Sequence, residues 1–252
     1  MKRWMGDYMK GGLGYTDMHS HVLPGLDDGA VNIRQSLNML RIAREEGIET
    51  IYATPHFMPG KGCPDRDTIL ESLDGLKEAA GKEGLAVNLK YGAEYYFRQE
   101  VLQLLETDRA VPLEGTDCIL TEFDPWEEER YIRRALCDIL DRGYVPVAAH
   151  VERYGALMKK DFGFIREMRS LGVLIQINTG SVTGVFGGRA KRDTRALLKR
   201  KLVDLLGTDA HSDRKRAPRI KSCADYLYRK LEREYAEHLL YGRALCSQHD
   251  IQ

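Results

Sequence analysis

The sequence predicts an α/β protein in which parallel strands alternate with helices, and it favours a barrel over an open sheet. Seven short runs rich in β-branched and apolar residues are present between residues 15 and 209, and most are separated by segments with helical periodicity. Strands that alternate with helices indicate parallel βαβ units. Seven such units in about 200 residues favour closure into a barrel, although periodicity alone does not distinguish a barrel from an open sheet.

A long predicted helix joins the first two strands. The run GYTDMHSH forms the first strand. The helix is predicted from about Asn32 to Glu46, and Gly47 ends it because glycine adopts the left-handed conformation of helix C-termini without strain. The second strand, IETIYAT, follows at once and leads to His56.

Five further strands complete the pattern. The runs AVNLKYGAE and TDCILTEF end at or near Glu94 and Glu122. Each of the last three strands follows a helical segment: IRRALCDILDRG precedes YVPVAA, FIREMRSLG precedes VLIQIN, and ALLKRK precedes LVDLLGT. These strands lead to His150, Asn178 and Asp209. Because the carboxyl ends of parallel strands meet at one mouth of a barrel, we expect the side chains at these ends to lie close together.

The composition is that of a folded protein. The chain has 252 residues, of which 43% are hydrophobic and 30% charged, with 38 basic against 38 acidic side chains. This length is sufficient for a full hydrophobic core, and no linker or low-complexity segment divides residues 1–252. We therefore expect one domain with an N-terminal extension at residues 1–14. The balanced charge argues against a nucleic-acid partner, which usually requires a basic surface.

Cysteine usage and the apolar pattern predict the compartment. The five cysteines are widely spaced, odd in number and without a CxxC pair; they are Cys63, Cys118, Cys137, Cys223 and Cys246. A disulfide framework or a thiolate zinc site is therefore not expected, and a reducing cytoplasm fits best. No segment approaches the roughly 18 uninterrupted apolar residues of a membrane span, and the N-terminus has no apolar core of a signal peptide. We expect a cytoplasmic protein without membrane insertion.

Histidine and carboxylate side chains concentrate at the predicted strand ends. Five of the seven histidines and four carboxylates lie there: His19, His21, His56, His150, His211, Asp28, Glu94, Glu122 and Asp209. Because side chains alternate along a strand, the HxH pair places both imidazoles on one face, and the DxH pair repeats this geometry. Imidazole and carboxylate together bind divalent metals such as Mn, Zn or Fe. A lone histidine at a strand end is usually structural, but this many together predict a metal centre.

Three other motifs are better explained without a site. Cys223 and Arg229 have the CxxxxxR spacing of thiol-dependent tyrosine phosphatases, but the intervening ADYLY contains no glycine and is predicted to be helical. The basic run RAKR at residues 189–192 is typical of a solvated helix start. The segment GVFGG lacks the lysine and hydroxyl residues of a phosphate-binding loop, and we interpret it as a flexible loop at the rim.

Six sequence blocks in register make the chain similar to a known family. DMHSHVLPGLDDGA, ATPH, YGAEYYF, LTEF, AHVERY and TDAHS occur in this order between about Asp17 and Pro218. They resemble the PHP-domain (polymerase and histidinol phosphatase) metallophosphoesterases. More narrowly, they resemble the bacterial manganese-dependent tyrosine-protein phosphatases of capsule and exopolysaccharide loci. The resemblance implies a distorted (β/α)7 TIM-like barrel, the PHP fold, which agrees with the predicted strand number.

The resemblance also implies a centre of three divalent metal ions, with Mn²⁺ as the expected metal and Fe or Zn as alternatives. His19, His21, Glu94 and Asp209 would hold the first ion, Glu94 would bridge to a second ion held by Glu122 and His150, and Asp28, His56 and His211 would hold the third. Asp28 is preferred over its neighbour Asp27 because the aspartate immediately before glycine matches the family position. Arg153, in the AHVERY block, matches a phosphate-contacting arginine, and Arg216 resembles a second one.

The function implied by the resemblance is hydrolysis of phosphotyrosine by metal-activated water, without a phosphoenzyme. The expected partner is a phosphotyrosine protein, the C-terminal tail of a cognate bacterial tyrosine kinase, and homo-oligomerisation is compatible with this role. A histidinol-phosphate phosphatase or another small-molecule phosphomonoesterase is the alternative with the same fold. A non-catalytic metal-binding module that engages a kinase is the alternative of a different class. The chain departs from the family pattern at Ser212, where the family commonly has Asn, and in the KGCPD segment, which matches no family pattern. We expect both departures to affect substrate fit rather than the ligand set.

Overall fold

The structure is a computed structural model that describes residues 14–59, 64–159 and 161–246. The predicted N-terminal extension at residues 1–14 lies outside the described residues except for Gly14. Residues 61–63 of the KGCPD segment, which include Cys63, lie outside them as well.

Parallel strands form the centre of the described part of the chain. They are β1 (Tyr15–Ser20), β2 (Ile48–Ala53), β3 (His56–Phe57), β4 (Asn88–Tyr91), β5 (Glu94–Tyr96), β6 (Cys118–Glu122), β7 (Val145–Ala148), β8 (Leu174–Asn178) and β9 (Leu205–Gly207). One sheet has the order β1-β2-β4, and the other has the order β3-β5-β6-β7-β8-β9. Every strand pair in these two sheets is parallel.

Backbone contacts between β1 and the segment after β9 join the two sheets. Ser20 forms an isolated parallel bridge with Ala210, whose carbonyl accepts a hydrogen bond from the His21 amide at 2.8 Å. The Asp209 amide donates to the His19 carbonyl at 2.8 Å. The strands therefore form one curled parallel arrangement, and the predicted α/β class with parallel strands is confirmed.

Interruptions account for the difference between the seven predicted strands and those in the structure. β2 stops at Ala53 and β3 starts at His56, with Pro55 between them. Proline has no N–H for a strand ladder, and the pairing partners change here: β2 pairs with β1 and β4, whereas β3 pairs with β5. Gly92 and Ala93 separate β4 from β5 in the same way. The sequence did not predict β3, and it predicted β4 and the start of β5 as one strand.

Helices cover the connections between most strands. The described helices are α1 (Ile33–Glu45), α2 (Arg66–Lys82), α3 (Gln99–Glu106), α4 (Glu129–Leu140), a 3₁₀ helix (Val151–Arg153), α5 (Gly163–Ser170), α6 (Thr179–Thr183), α7 (Gly188–Lys199), α8 (Lys221–Lys230), α9 (Arg233–Leu240) and α10 (Arg243–Cys246). The Asn32 side chain caps α1 by accepting from the Gln35 amide at 3.0 Å, and Gly47 follows its end with a φ of +84°. The helix predicted from about Asn32 to Glu46 is thereby confirmed. Within the described residues, none of the helices combines the length and apolar character needed to cross a membrane.

Apolar side chains fill the space between helices and sheet, whereas buried polar side chains collect at the carboxyl ends of the strands. Leu40 of α1 and Ile132 of α4 are fully buried. His19 and Glu94 are equally inaccessible, although both are ionisable. Burial of ionisable groups is costly unless they are paired or bind a metal, so this end of the sheet is the candidate functional site.

Candidate metal centre

The structure brings together the nine side chains predicted as metal ligands. Seven lie at or after the carboxyl ends of strands, whereas His56 and Glu94 begin β3 and β5, shortly after β2 and β4 end. His19 and His21 come from the end of β1, Asp28 from the loop after it, His56 from β3, Glu94 from β5, Glu122 from β6, His150 from the loop after β7, and Asp209 and His211 from the loop after β9. Residues 190 positions apart in the sequence meet here, since the ring centroids of His21 and His211 are 3.8 Å apart, because parallel strands present their carboxyl ends at one edge.

The Glu94 carboxylate occupies the middle of this cluster. Its Oε2 atom is 3.1 Å from Nε2 of His19, 3.2 Å from Nε2 of His21 and 3.1 Å from Nδ1 of His56. Its Oε1 atom is 2.8 Å from Nε2 of His150. Among the described residues, neither Glu94 Oε2 nor His56 Nδ1 has a hydrogen-bond partner of suitable geometry. A buried carboxylate oxygen without a hydrogen bond, facing three imidazole nitrogens, is the arrangement expected of a metal-binding group rather than of a structural ion pair.

Three groups of ligand atoms can each hold one metal ion. The atoms within each group lie within 4.8 Å of one another, and the groups are His19, His21 and Glu94; His56, Glu94 and Glu122; and His21, Asp28, His56 and His211. Mixed nitrogen and oxygen donors suit Mn, Fe and Zn. The residues present therefore fit a divalent metal centre, and the absence of cysteine from these groups separates it from structural zinc sites.

The second group differs from the set expected from the family pattern, because His56 takes the place of His150. His56 Nδ1 is 3.1 Å from Glu122 Oε1. His150 Nε2 is 3.7 Å from Glu122 Oε2, although it is only 2.8 Å from Glu94 Oε1. His150 therefore contacts Glu94 at the edge of this group.

Asp209 lies beside the first group and contacts both arginines. Its Oδ1 atom is 3.7 Å from Nε2 of His19 and 3.5 Å from Nε2 of His21. Arg216 Nη2 lies 2.7 Å from the same oxygen, and Arg153 Nη1 lies 3.7 Å from Oδ2. The side chains of Arg153 and Arg216 are 46% and 35% exposed, so both guanidinium groups line the mouth and remain accessible from solvent.

The two neighbouring aspartates after β1 have different roles. Asp27 Oδ2 accepts hydrogen bonds from His21 Nδ1 at 2.7 Å and from the His56 amide at 2.9 Å. Burial would raise the pKa of Asp27, but the hydrogen bond and charge of His21, together with hydrogen bonds from the His56 and Gly29 amides, lower it to about 2. Asp28 instead places Oδ1 3.5 Å from His56 Nε2 and 3.3 Å from His211 Nε2. Asp27 thus orients the His21 ring from behind, a common arrangement around metal-binding histidines, whereas Asp28 faces the cluster.

Buried carboxylates and imidazoles shift one another's pKa values in the cluster. Burial would raise the pKa of Glu94, but the charge of His19 and the hydrogen bond from His150 hold it well below its usual range. Burial would lower the pKa of His21, but its contacts with the carboxylates of Asp209, Asp27 and Glu94 raise it well above its usual range. In the metal-free chain, protons on the imidazoles therefore balance the negative charge of the carboxylates. Bound divalent cations can take over this role.

The backbone at the cluster has two unusual features. His150 has a φ of +32° and Asp209 a φ of +53°, a left-handed conformation that is uncommon for residues other than glycine. At Gly207, a Cβ atom would lie 2.5 Å from the Cβ of His19, so only glycine permits β9 to approach β1 this closely.

Several buried polar residues around the ligands were not predicted from the sequence. Asp17 Oδ1 and Oδ2 accept from the Thr208 amide at 2.8 Å and the Thr208 hydroxyl at 2.5 Å, and burial raises the pKa of Asp17 to about 6. Gln176 and Asn178 of β8 are also fully or almost fully buried beside the site. A signal was available, since Asp17 precedes His19 by two positions and Gln176 precedes Asn178 by two, which places each pair on one strand face.

The motifs interpreted without a site remain outside the cluster. Cys223 is buried in α8, burial raises the pKa of its thiol to about 12, and Arg229 uses Nε to donate to the Asp225 carbonyl of the same helix. The RAKR run forms the first turns of α7, where the Arg189 and Arg192 side chains are 66% and 72% exposed. The prediction of a solvated helix start is thus confirmed.

The chain matches the model of the capsular polysaccharide synthesis CpsB/CapC family over residues 15–246. It is 32% identical over 225 residues to tyrosine-protein phosphatase YwqE of Bacillus subtilis, covering 89% of this chain and 87% of that protein. It is 30% identical over 228 residues to tyrosine-protein phosphatase CpsB of Streptococcus pneumoniae, covering 88% and 93%.

The fold is also similar to a solved structure described as that of YwqE from Bacillus subtilis and CpsB from Streptococcus pneumoniae, metal-dependent tyrosine phosphatases. The TM-score is 0.86 at 29% identity, with 92% of this chain and 94% of the other covered. A match of this extent leaves no large part of the described fold unaccounted for. The chain therefore belongs to the capsular polysaccharide synthesis CpsB/CapC family.

Proposed function

We propose that the protein is a metal-dependent protein-tyrosine phosphatase, a phosphoric monoester hydrolase. The observation that carries this proposal is the buried Glu94 carboxylate surrounded by imidazoles. Two partly exposed arginines contact the neighbouring Asp209, and the relatives of the chain are named tyrosine-protein phosphatases. Cationic groups around an accessible mouth are what a phosphate monoester requires, because its own negative charge repels nucleophiles.

The metal ligands are part of the same proposal. Three divalent ions, with Mn²⁺ as the expected metal and Fe or Zn as alternatives, would be held by His19, His21, Asp28, His56, Glu94, Glu122, His150, Asp209 and His211. Support comes from the three groups of ligand atoms, two of which share Glu94. A carboxylate shared between groups is suited to bridging neighbouring ions. When bound, the ions would lower the pKa of a coordinated water and neutralise phosphate charge.

The two arginines would orient the phosphate. Arg216 Nη2 is held by Asp209 Oδ1 at 2.7 Å, while its buried Nε makes no hydrogen bond to any described residue. The ion pair fixes the guanidinium plane, and the exposed part of the Arg216 side chain would donate to a phosphate oxygen. Arg153 is more exposed and can donate to a second oxygen, since the planar guanidinium pairs well with phosphate.

Phosphotyrosine suits this site because of its leaving group. A phenolate has a pKa of about 10, so it needs less protonation on departure than an alkoxide. The arrangement of residues does not require a dedicated general acid or a nucleophilic side chain. We therefore assign binding and orientation, rather than covalent catalysis, to the residues of the chain.

The physiological setting extends the proposal. The substrate would be the tyrosine-bearing C-terminal tail of a bacterial tyrosine kinase in the cytoplasm, and several copies of the chain could assemble to present several sites to one tail. The free thiols of Cys118, Cys137 and Cys223 are compatible with a reducing compartment.

We further propose that β2 with β3, and β4 with β5, each count as one interrupted strand, which gives a distorted (β/α)7 barrel.

The experiment is a phosphate-release assay with two substrates. Protein stripped with EDTA and reloaded with Mn²⁺ is given a phosphotyrosyl peptide or histidinol phosphate. We expect release from the peptide, its loss after EDTA treatment and little release from histidinol phosphate. Release from histidinol phosphate alone would favour the small-molecule phosphatase instead. A Mn²⁺-loaded protein inert toward every aryl phosphate would favour a non-catalytic module.

A further inference from the structure

Strand β8 supplies none of the nine proposed ligands, yet it directs two buried polar side chains toward the cluster. Gln176 is 0% exposed and Asn178 is 2% exposed. They are two positions apart in the strand and so share one face. Buried amides without partners are costly, so their hydrogen bonds indicate what they do.

The two amides form a continuous chain of hydrogen bonds between the ends of β7 and β9. Gln176 Oε1 accepts from the His150 amide at 2.6 Å. Gln176 Nε2 donates to Asn178 Oδ1 at 2.9 Å, and Asn178 Nδ2 donates to Asp209 Oδ2 at 2.8 Å. In each amide the oxygen accepts from one neighbour and the nitrogen donates to the next one along the chain of bonds. Because oxygen and nitrogen have different partners, the orientation of both amides is fixed.

The two residues at the ends of this chain have the unusual backbone noted above. His150 and Asp209 both adopt positive φ values, a conformation that persists only where surrounding contacts impose it. Gly207 leaves space for the bridge, because a Cβ at that position would lie 2.9 Å from Gln176 Nε2.

We propose that Gln176 and Asn178 are positioning residues that hold His150 and Asp209 in the geometry required for metal binding. The inference rests on the proposed function, which assigns both as ligands. Asn178 engages Oδ2 of Asp209, so that Oδ1 is left to face His19 and His21 at 3.7 and 3.5 Å. Arg153 Nη1, at 3.7 Å from Oδ2, is a more distant partner than Asn178, so without the Asn178 donor the carboxylate is free to rotate and to turn Oδ1 away from the imidazoles.

The test measures metal binding directly, independently of turnover. Mn²⁺ is titrated into EDTA-stripped wild type, Asn178→Ala and Gln176→Glu by isothermal titration calorimetry, and thermal unfolding is recorded without metal. Gln176→Glu is isosteric and retains the oxygen that accepts from His150, but it no longer donates to Asn178. Thr194→Val is the matched control, because it removes a buried hydrogen bond, to the Ala190 carbonyl at 2.8 Å in α7, away from the cluster.

We expect Asn178→Ala to bind Mn²⁺ about tenfold to a hundredfold more weakly, as is typical when the outer partner of a ligand is removed. Gln176→Glu should show a smaller loss, and the two together should lose less than the combined single effects, since they interrupt one chain of bonds. With phosphotyrosyl peptide, kcat should fall more than KM changes, because both arginines remain.

Wild-type Mn²⁺ affinity in folded Asn178→Ala and Gln176→Glu would overturn the inference, and so would an equal loss in Thr194→Val. If Asn178→Ala does not fold, Gln176→Glu decides the outcome. Failure of the wild type itself to bind Mn²⁺ would instead contradict the proposed function.

Discussion

Glu94 contacts four imidazoles through its two carboxylate oxygens. Substitutions in the cluster should therefore reduce metal-dependent activity far more than substitutions outside it. Removal of one ligand leaves the remaining buried charges without a partner. His150 is the informative case, because it contacts Glu94 at 2.8 Å and yet lies beyond the second group of ligand atoms.

His150→Ala should abolish most metal-dependent turnover. We expect a loss greater than the about 10–100-fold typical of outer-shell partners, because the substitution removes a proposed ligand itself. The measurement is phosphate release at saturating Mn²⁺. His238→Ala, a half-buried histidine in α9, is the matched control and should retain activity. Wild-type turnover by His150→Ala would exclude this residue from the centre.

Cys223→Ser should leave turnover intact, because the thiol takes no part in the reaction. Burial raises the pKa of the Cys223 thiol to about 12, so the thiolate is negligible at about pH 8 and increases only as the pH approaches the raised value. The folded protein should therefore resist iodoacetamide at Cys223, as mass spectrometry of the peptide will show. Rapid alkylation with loss of activity would restore a thiol mechanism.

At the scale of elements, the sequence predicted which side chains meet at the site better than it predicted the strands that carry them. The HxH and DxH pairs needed only the period of two along a strand, and strand ends marked their position. At the break at Pro55 the pairing changes, since β2 pairs with β1 and β4 whereas β3 pairs with β5. Pairing between distant strands leaves no local sequence pattern, so the break could not be predicted. The Gln176–Asn178 pair did follow the period of two, but amides in a strand do not by themselves indicate a partner on another strand.

Gly207→Ala should destabilise the contact between β9 and β1. The added Cβ would lie 2.5 Å from the Cβ of His19, so we expect a loss of about 1–3 kcal/mol from overpacking and weaker Mn²⁺ binding. Gly75→Ala is the control: apart from its chain neighbours and the backbone of α2 itself, no atom would lie within 4 Å of the added Cβ. Helix propensity predicts a gain of about 0.5–1 kcal/mol. Thermal unfolding measures both, and a Gly207→Ala protein as stable as the wild type would contradict the close approach.

At the scale of the whole molecule, formal neutrality hides a concentrated site. The 38 basic and 38 acidic side chains cancel overall, but four of the carboxylates belong to the proposed ligands at the mouth. Divalent ions there would reverse the local charge, so that an apparently neutral protein attracts a phosphorylated partner. Composition alone could exclude a nucleic-acid surface, but it could not reveal this arrangement, which depends on how the strands bring their ends together.

The most direct test is a Mn²⁺ titration of phosphotyrosyl-peptide hydrolysis by EDTA-stripped wild type and Glu94→Gln in parallel. Glu94→Gln preserves shape but removes the charge shared by two of the three ligand groups. The account predicts that Mn²⁺ restores saturable phosphate release to the wild type and fails to restore it to Glu94→Gln at any concentration that maintains folding. Metal-independent release by the wild type, or equal restoration in both proteins, would contradict it.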